Sequence, residues 1–452
     1  MEAFTNVLNS INGFVWGPVM LVLLVGTGLY LNVILRFFSL RNWMYAYRCL
    51  WAGRKHQSEF GEISPWQALM TALAGDVGTG NIVGVATAIA IGGPGALFWM
   101  WVTAIVGMMT KFSEILLSMK YREKTPAGNW VGGAMYFIKN GLGPKWVWLG
   151  SLFALFGFIA CFGIGATVQA NAISVSLAKS FSAPTWLSGI LLFILMGAVL
   201  IGGVKRIGAV AGKLVPFMAI LYIALSLFVI LANITEIPRV FMWVVTEAFT
   251  PTAASGGFAG ASVMLAIRMG VARGVFSNEA GLGSVAIAHA TSTAKSPLHQ
   301  ASLGMLDVFI DTLIICTMTG FAILVTGVWN SGPEHAGVLT HMAFATVLPG
   351  IGDKFVTICL TVFAFTTALA WGLYGERCAI YFFGDRAQKP FRLAYSIATG
   401  LGAMMALDLV WLLADTANAF MAFPNLIGIL LLSPKIVQIV REECQKDPGF
   451  KF

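Results

Sequence analysis

Charge is what this 452-residue sequence has least of. Aspartate, glutamate, lysine and arginine make up 11% of it, less than half of the share, about a quarter, that soluble domains carry. That scarcity excludes an ordinary soluble domain, and no long linker is visible. Cysteine is sparse as well: Cys49, Cys161, Cys316, Cys359, Cys378 and Cys444 are scattered without metal or redox spacing. A disulfide framework is therefore excluded, and the six read as packing residues. Met1-Glu2 supplies no basic stretch before the first apolar run, and that run, 13–35, is too long for a signal peptide. No nucleophile–base pair or metal-ligand cluster stands out, so the chain does not read as an enzyme.

What is there is apolar: 58% of residues are hydrophobic. Repeated apolar stretches of about 18 or more residues read as transmembrane helices. The expected fold class is an all-α polytopic membrane protein with about 11 transmembrane helices. The spans fall near 13–35, 65–91, 94–120, 147–178, 184–203, 209–232, 262–289, 301–327, 354–382, 391–411 and 414–434. The net charge of +8 is not spread as a nucleic-acid surface would be. Lysine and arginine collect in alternate connections, at 36–55, 120–145, 205–206, 295, 386–392 and 435–451, while the other side holds little beyond Lys179, Arg239 and Lys354. By the positive-inside rule the N-terminus lies outside and the C-terminus in the cytoplasm of a cell-membrane protein. The basic, aromatic segment 36–55 reads as an amphipathic helix at the interface.

Two of the apolar spans are interrupted. "AGDVGTGN", Ala74 to Asn81, and "RGVFSNEAGLGS", Arg273 to Ser284, each place a Gly-x-Gly-polar core at mid-membrane. Five spans separate their starts, so the two run in opposite directions, and such a pair is the sequence pointer to a carrier's midplane site. The organisation read from this is an additional helix and interfacial segment at 1–63, one five-helix repeat at 64–240, a second, inverted repeat at 241–435, and a cytoplasmic tail at 436–452. Glycines at 75, 78 and 80 let the chain leave helical geometry. Unwound backbone at that depth persists only where it lines a cavity or binds something. Carbonyls from Ala74 to Val77 can coordinate a hard cation, and the N–H groups of Thr79 and Gly80 can hold a carboxylate. The opposing reading is that these glycines only permit a kink or close helix packing. A dinucleotide fingerprint fails, because position 101 is tryptophan where an acid would be needed.

With "PGALFWMWVTAIVGMMTKF", Pro94 to Phe112, the stretches "GDVGTGNIVGVA" and "ARGVFSNEAGLGSVAIAHA" resemble the alanine or glycine:cation symporter family over nearly the whole chain. The resemblance implies two inverted five-helix repeats like those of the bacterial leucine transporter. It also implies sodium-coupled uptake of small neutral amino acids, with protons as the other coupling ion and no organic cofactor. Carried onto this sequence, it gives Gly78, Thr79 and Gly80 to the substrate carboxylate, and the Ala74 and Val77 carbonyls with Thr366 and Thr367 to a main sodium site. Asn81 would serve a second cation. Phe276 would pack on the substrate, Ser277, Asn278 and Glu279 would present polar groups, and Trp371 would wall the pocket. Gln169 would meet substrate from the fourth span. The Thr366 and Thr367 hydroxyls can instead bond their own helix.

Asp76, Arg268, Arg273, Glu279, Asp307 and Asp311 are charges inside spans, each of which must pair or line water. Asp76 reads either as part of a cation site or as structural, the ion-pair partner of Arg273 or a cap of the second half-helix; Asp311 is a candidate cation ligand or proton site. The alternatives are a carrier of a larger neutral amino acid such as glutamine, sodium- or proton-coupled, and a cation channel, which needs no closing cycle.

Overall fold

The computed structural model describes residues 2–55, 58–252, 260–405 and 408–452. Helix dominates because hydrocarbon offers main-chain N–H and C=O groups no partner, so each segment must satisfy its own. Among the described residues seven helices are long and apolar enough to cross a membrane, and the bent pair Pro65–Asp76 and Gly80–Gly92 adds another. The run Gly352–Gly402 divides at Gly384, whose φ is +67°, into Gly352–Phe383 and Gln388–Gly402. With the apolar helix Thr185–Leu200 and the interrupted helix Val263–Asn278 and Val285–His289, these make up the expected eleven segments. The junction 406–407 between the last two spans lies outside the described residues.

Several boundaries differ from the sequence expectation. The last helix, Asp408–Lys446, continues past the expected end at 434, carrying Pro424 and Pro434 inside it. Most of the segment expected as a tail is therefore helix. Connections that hydropathy leaves blank are also structured. A two-stranded antiparallel ribbon pairs Glu123 with Val131 and Lys124 with Trp130, and short helices occupy Ala134–Leu142, Ile237–Thr246 and Leu339–Val347. The interfacial segment forms Phe38–Arg41 and Trp43–Ala52.

Burial sorts the helices. Gly203–Ala232 leaves Phe217, Ile220, Leu227, Phe228 and Leu231 exposed, an apolar surface suited to lipid. Gly95–Lys120 instead buries nearly everything along its second half, including Thr110, Lys111, Ser113, Glu114 and Ser118. The two interrupted helices lie in this interior: Val263–Asn278 packs along Gly95–Lys120, and Pro65–Asp76 lies between Gly203–Ala232 and Gly352–Phe383.

Candidate functional site

The first broken helix starts firmly. Ser64 caps it, accepting from Gln67 N at 3.2 Å while its own N–H donates to Gln67 Oε1 at 3.1 Å, and Pro65 fills the first turn. The last regular bond runs from Val77 N to Leu73 O. The next N–H, of Gly78, would continue the helix onto Ala74 O but donates to Asn81 Oδ1 at 2.8 Å. That diversion leaves the Ala74 carbonyl without its helical donor. The Val77 carbonyl turns aside and accepts from Thr367 Oγ1 at 3.2 Å. The chain resumes in a wide π-helical turn at Gly80–Gly84, bent by 46° from the first half. Thr79 is buried beside it with a hydroxyl that has no hydrogen-bond partner.

In the second broken helix, Ser262 caps the start and Asn278 ends the first piece. Glu279, Gly281 and Gly283 follow with φ of +52°, +98° and +78°, a left-handed path that glycine takes without steric cost. The freed main-chain groups find partners on other helices. Gly281 N donates to Glu114 Oε1 at 2.9 Å, and Asn425 Nδ2 donates to both Gly281 O at 2.8 Å and Glu114 Oε1 at 2.6 Å. Asn278 O accepts from Lys111 Nζ at 2.6 Å. The Glu279 carboxylate takes the Trp371 indole N–H at 2.9 Å and the Ser284 hydroxyl. A gap in a buried helix is tolerable only when satisfied in this way.

The two broken helices meet beside their gaps. A Cβ on Gly80 would stand 3.2 Å from Phe276 Cδ1 and 3.2 Å from Ser277 Cα, a tight approach of the two helices. A Cβ on Gly78 would overlap the Thr367 hydroxyl. Beside this meeting point Asp311 accepts from Asn81 Nδ2 at 2.6 Å, Ser277 Oγ at 2.9 Å and Thr312 Oγ1 at 2.7 Å. Asp311 lies on a second π-helical stretch, Phe309–Cys316, and a third, Cys161–Val168, immediately precedes Gln169. Such widened turns recur at functional sites because they re-aim side chains. Gln169 is buried, and its Oε1 has no partner.

The structure thus brings Val77, Gly78, Gly80, Asn81, Phe276, Ser277, Asp311 and Thr367 together, and ties Glu279 to Trp371. Thr366 does not join them. Its hydroxyl bonds Phe363 O at 2.9 Å on its own helix and faces Met218, because adjacent helical residues point about 100° apart. Asp76 is not paired with Arg273 either. Its partner is Lys111, and Arg273 approaches Asp415 at 4.0 Å. Lys111, Glu114, Asn425 and Asp415 escaped the sequence reading. The available signal was two charges three residues apart inside the apolar span 94–120, on one helix face.

Oxygen-rich positions of this kind suit a hard cation. One has the Val77 carbonyl and the Thr367 hydroxyl, with Ala74 O released nearby. The other has the Asp311 carboxylate with the Ser277 and Thr312 hydroxyls.

A family model described as the sodium:alanine symporter family matches residues 1–448. Over 439 residues the chain is 43% identical to the sodium/alanine symporter AgcS of Methanococcus maripaludis, covering 96% of each chain. It is 35% identical to the probable sodium/glutamine symporter GlnT of Bacillus subtilis, over 99% of this chain and 94% of that one. Among solved structures, MhsT in complex with L-phenylalanine aligns with a TM-score of 0.57 at 17% identity, over 85% of this chain and 99% of that chain. At that identity the likeness bears on the fold alone.

Proposed function

Because this chain belongs to the sodium:alanine symporter family, we propose that it imports small neutral amino acids, alanine and glycine, together with sodium by alternating access. It is a secondary transporter, so its site has to bind, enclose and release rather than make or break bonds. The observation that carries the reading is the meeting of the two broken helices beside their gaps, Gly80 against Phe276 and Ser277.

The N–H groups at Thr79 and Gly80 open the second half-helix and receive the amino-acid carboxylate. Phe276 and Trp371 bound the side-chain space, and Gln169 supplies an amide from the neighbouring helix. Asn278 and Glu279 shape the second gap. Sodium takes the Val77–Thr367 position together with Ala74 O; a second cation takes the position of Asp311, with Asn81 and Ser277 beside it. A sodium ion placed there favours the adjoining carboxylate, which couples the two bindings. The repeats 64–240 and 241–435 then rock against each other, between a side carrying the N-terminus outside and a side carrying the C-terminus in the cytoplasm. One charge moving through 100 mV supplies about 2.3 kcal/mol, and a tenfold sodium gradient about 1.4 kcal/mol. With one sodium per amino acid these allow roughly 500-fold accumulation.

A second reading, a carrier of glutamine, draws on the likeness to GlnT. Uptake of labelled alanine, glycine and glutamine into proteoliposomes, with inward sodium or proton gradients, separates the two. Sodium-driven alanine or glycine uptake exceeding glutamine uptake supports the proposal. Glutamine preference, proton-only coupling, or sustained cation current without amino acid would overturn it.

A further inference from the structure

We propose that Lys111 is a built-in cation: its ammonium fills a site made by Asp76, Asp307 and the Asn278 carbonyl, and so holds the ends of both helix gaps in register. Lys111 projects from the middle of Gly95–Lys120 and is fully buried. An ammonium has three N–H donors, and three oxygens meet it. They are Asp76 Oδ2, Asn278 O at 2.6 Å and Asp307 Oδ2 at 3.0 Å. Asp76 is the last residue of the first half of one broken helix, and Asn278 the last of the first half of the other. One positive centre therefore ties both broken ends to the helix Pro297–Val308, which carries Asp307. Gly304 on that helix lets it pack close against Gly95–Lys120: a Cβ there would overlap Ile115 Cδ1, one turn beyond Lys111.

A carbonyl at a helix end with two carboxylates is an oxygen set of the kind that binds free hard cations. Here a tethered cation occupies it. Two consequences follow. Asp76 is committed to Lys111, so it is not a ligand of the transported ion, although it directly precedes Val77. With both carboxylates ionised the site carries one net negative charge, and Asp76 Oδ1 and Asp307 Oδ1 are buried without hydrogen-bond partners. Taking away the ammonium would leave two carboxylates and a carbonyl facing a space that a diffusible cation can enter. Lys111 is thus a positioning residue, and this role rests on the transport reading above.

The test compares the wild type, Lys111→Gln, and Lys111→Gln combined with Asp307→Asn, which removes one charge of each sign and keeps the net charge of the site. Alanine uptake by Lys111→Gln should fall about tenfold or more, as expected when a buried pair loses one partner. Uptake by the double variant should return close to the wild-type level. In the absence of amino acid, sodium should raise the melting temperature of purified Lys111→Gln more than that of the wild type or the double variant. A merely structural lysine would also allow charge-balanced rescue, but it would give no sodium-dependent rise in melting temperature confined to Lys111→Gln. If Lys111→Gln does not fold, recovery of folding in the double variant supports the proposal and failure of both counts against it. The proposal is overturned if Lys111→Gln keeps wild-type uptake and sodium response, or if a folded double variant is as inactive as the single one. Wild-type protein that imports no amino acid would refute the transport reading instead, and the sodium-dependent melting would still judge Lys111.

Discussion

Asn81 on the first broken helix donates its side-chain amide to Asp311, 230 positions later in the chain, at 2.6 Å. The same amide group accepts the Gly78 N–H through Oδ1 at 2.8 Å. The carboxylate is thereby linked, through one side chain, to the backbone of the gap. Asp311→Asn keeps the size and some hydrogen bonding but removes the charge. Interactions with a charged group are worth about 1.5–3 kcal/mol, so the sodium concentration for half-maximal uptake should rise by about tenfold or more. Unchanged sodium dependence would take Asp311 out of the cation site.

The neighbouring threonines should behave differently. Thr367→Val deletes a hydroxyl that bonds Phe363 O on its own helix at 3.0 Å but, unlike that of Thr366, also reaches Val77 O at 3.2 Å; the loss of about 0.5–1.5 kcal/mol should weaken sodium dependence by roughly threefold to tenfold. Thr366→Val deletes a hydroxyl satisfied by its own helix at Phe363 and should leave sodium dependence within about twofold. Equal effects of the two substitutions would mean that the Val77–Thr367 contact does not mark the ion position.

Gly80 offers a test of the meeting point itself. Alanine there already presses on Phe276 and Ser277 at 3.2 Å; Gly80→Val fills the space meant for substrate. Binding of labelled alanine should vanish while the melting temperature stays within a few degrees of the wild type. Gly84→Ala is the matched control, since nothing lies within 4 Å of a Cβ at that position. Retained binding in Gly80→Val, or its loss in Gly84→Ala, would contradict the assignment.

Both gaps were legible in the sequence because glycine and polar residues at mid-span break two rules at once, hydropathy and helix propensity. The span order was legible for the same reason that hydropathy works at all. What could not be read was rotation and partnership. Thr366 and Thr367 are adjacent letters, yet a helix turns about 100° between them and only one reaches the gap. The partner of Asp76 lay 35 positions away on another helix. A lysine in the middle of an apolar span gives no hint of its partners until its helix is seen to be enclosed. Pro434 suggested an end to the last helix, but that helix continues to Lys446, since proline removes one donor without forbidding a long helix supported by its neighbours. The ribbon 123–131 was invisible because its strands are two residues long.

That ribbon is held by Asp385, in the turn Gly384–Ala387, which accepts from Thr125 Oγ1 at 2.8 Å, Ala127 N at 3.1 Å, Asn129 Nδ2 at 2.9 Å and Gln388 Nε2 at 3.1 Å. Partial burial pushes the carboxyl up, but the hydrogen bonds from Thr125, Ala127, Asn129 and Gln388 outweigh it and hold Asp385 below its ordinary value. A depressed carboxyl contributes stability that is complete above its unfolded value and is lost as the pH falls through the folded one. The ribbon should therefore be equally well held from pH 8 down to about 5 and should loosen only below about 4, where free aspartate begins to protonate. Asp385→Asn removes the charge at every pH and, after allowance for solvent screening, should cost about 1 kcal/mol. A spin label at Pro126→Cys reads the outcome. Its spectrum should sharpen at pH 7 in the Asp385→Asn background, and in the otherwise native chain only on strong acidification. Loosening of the native ribbon between pH 8 and 6, or no change on Asp385→Asn, would show that Asp385 is not the anchor.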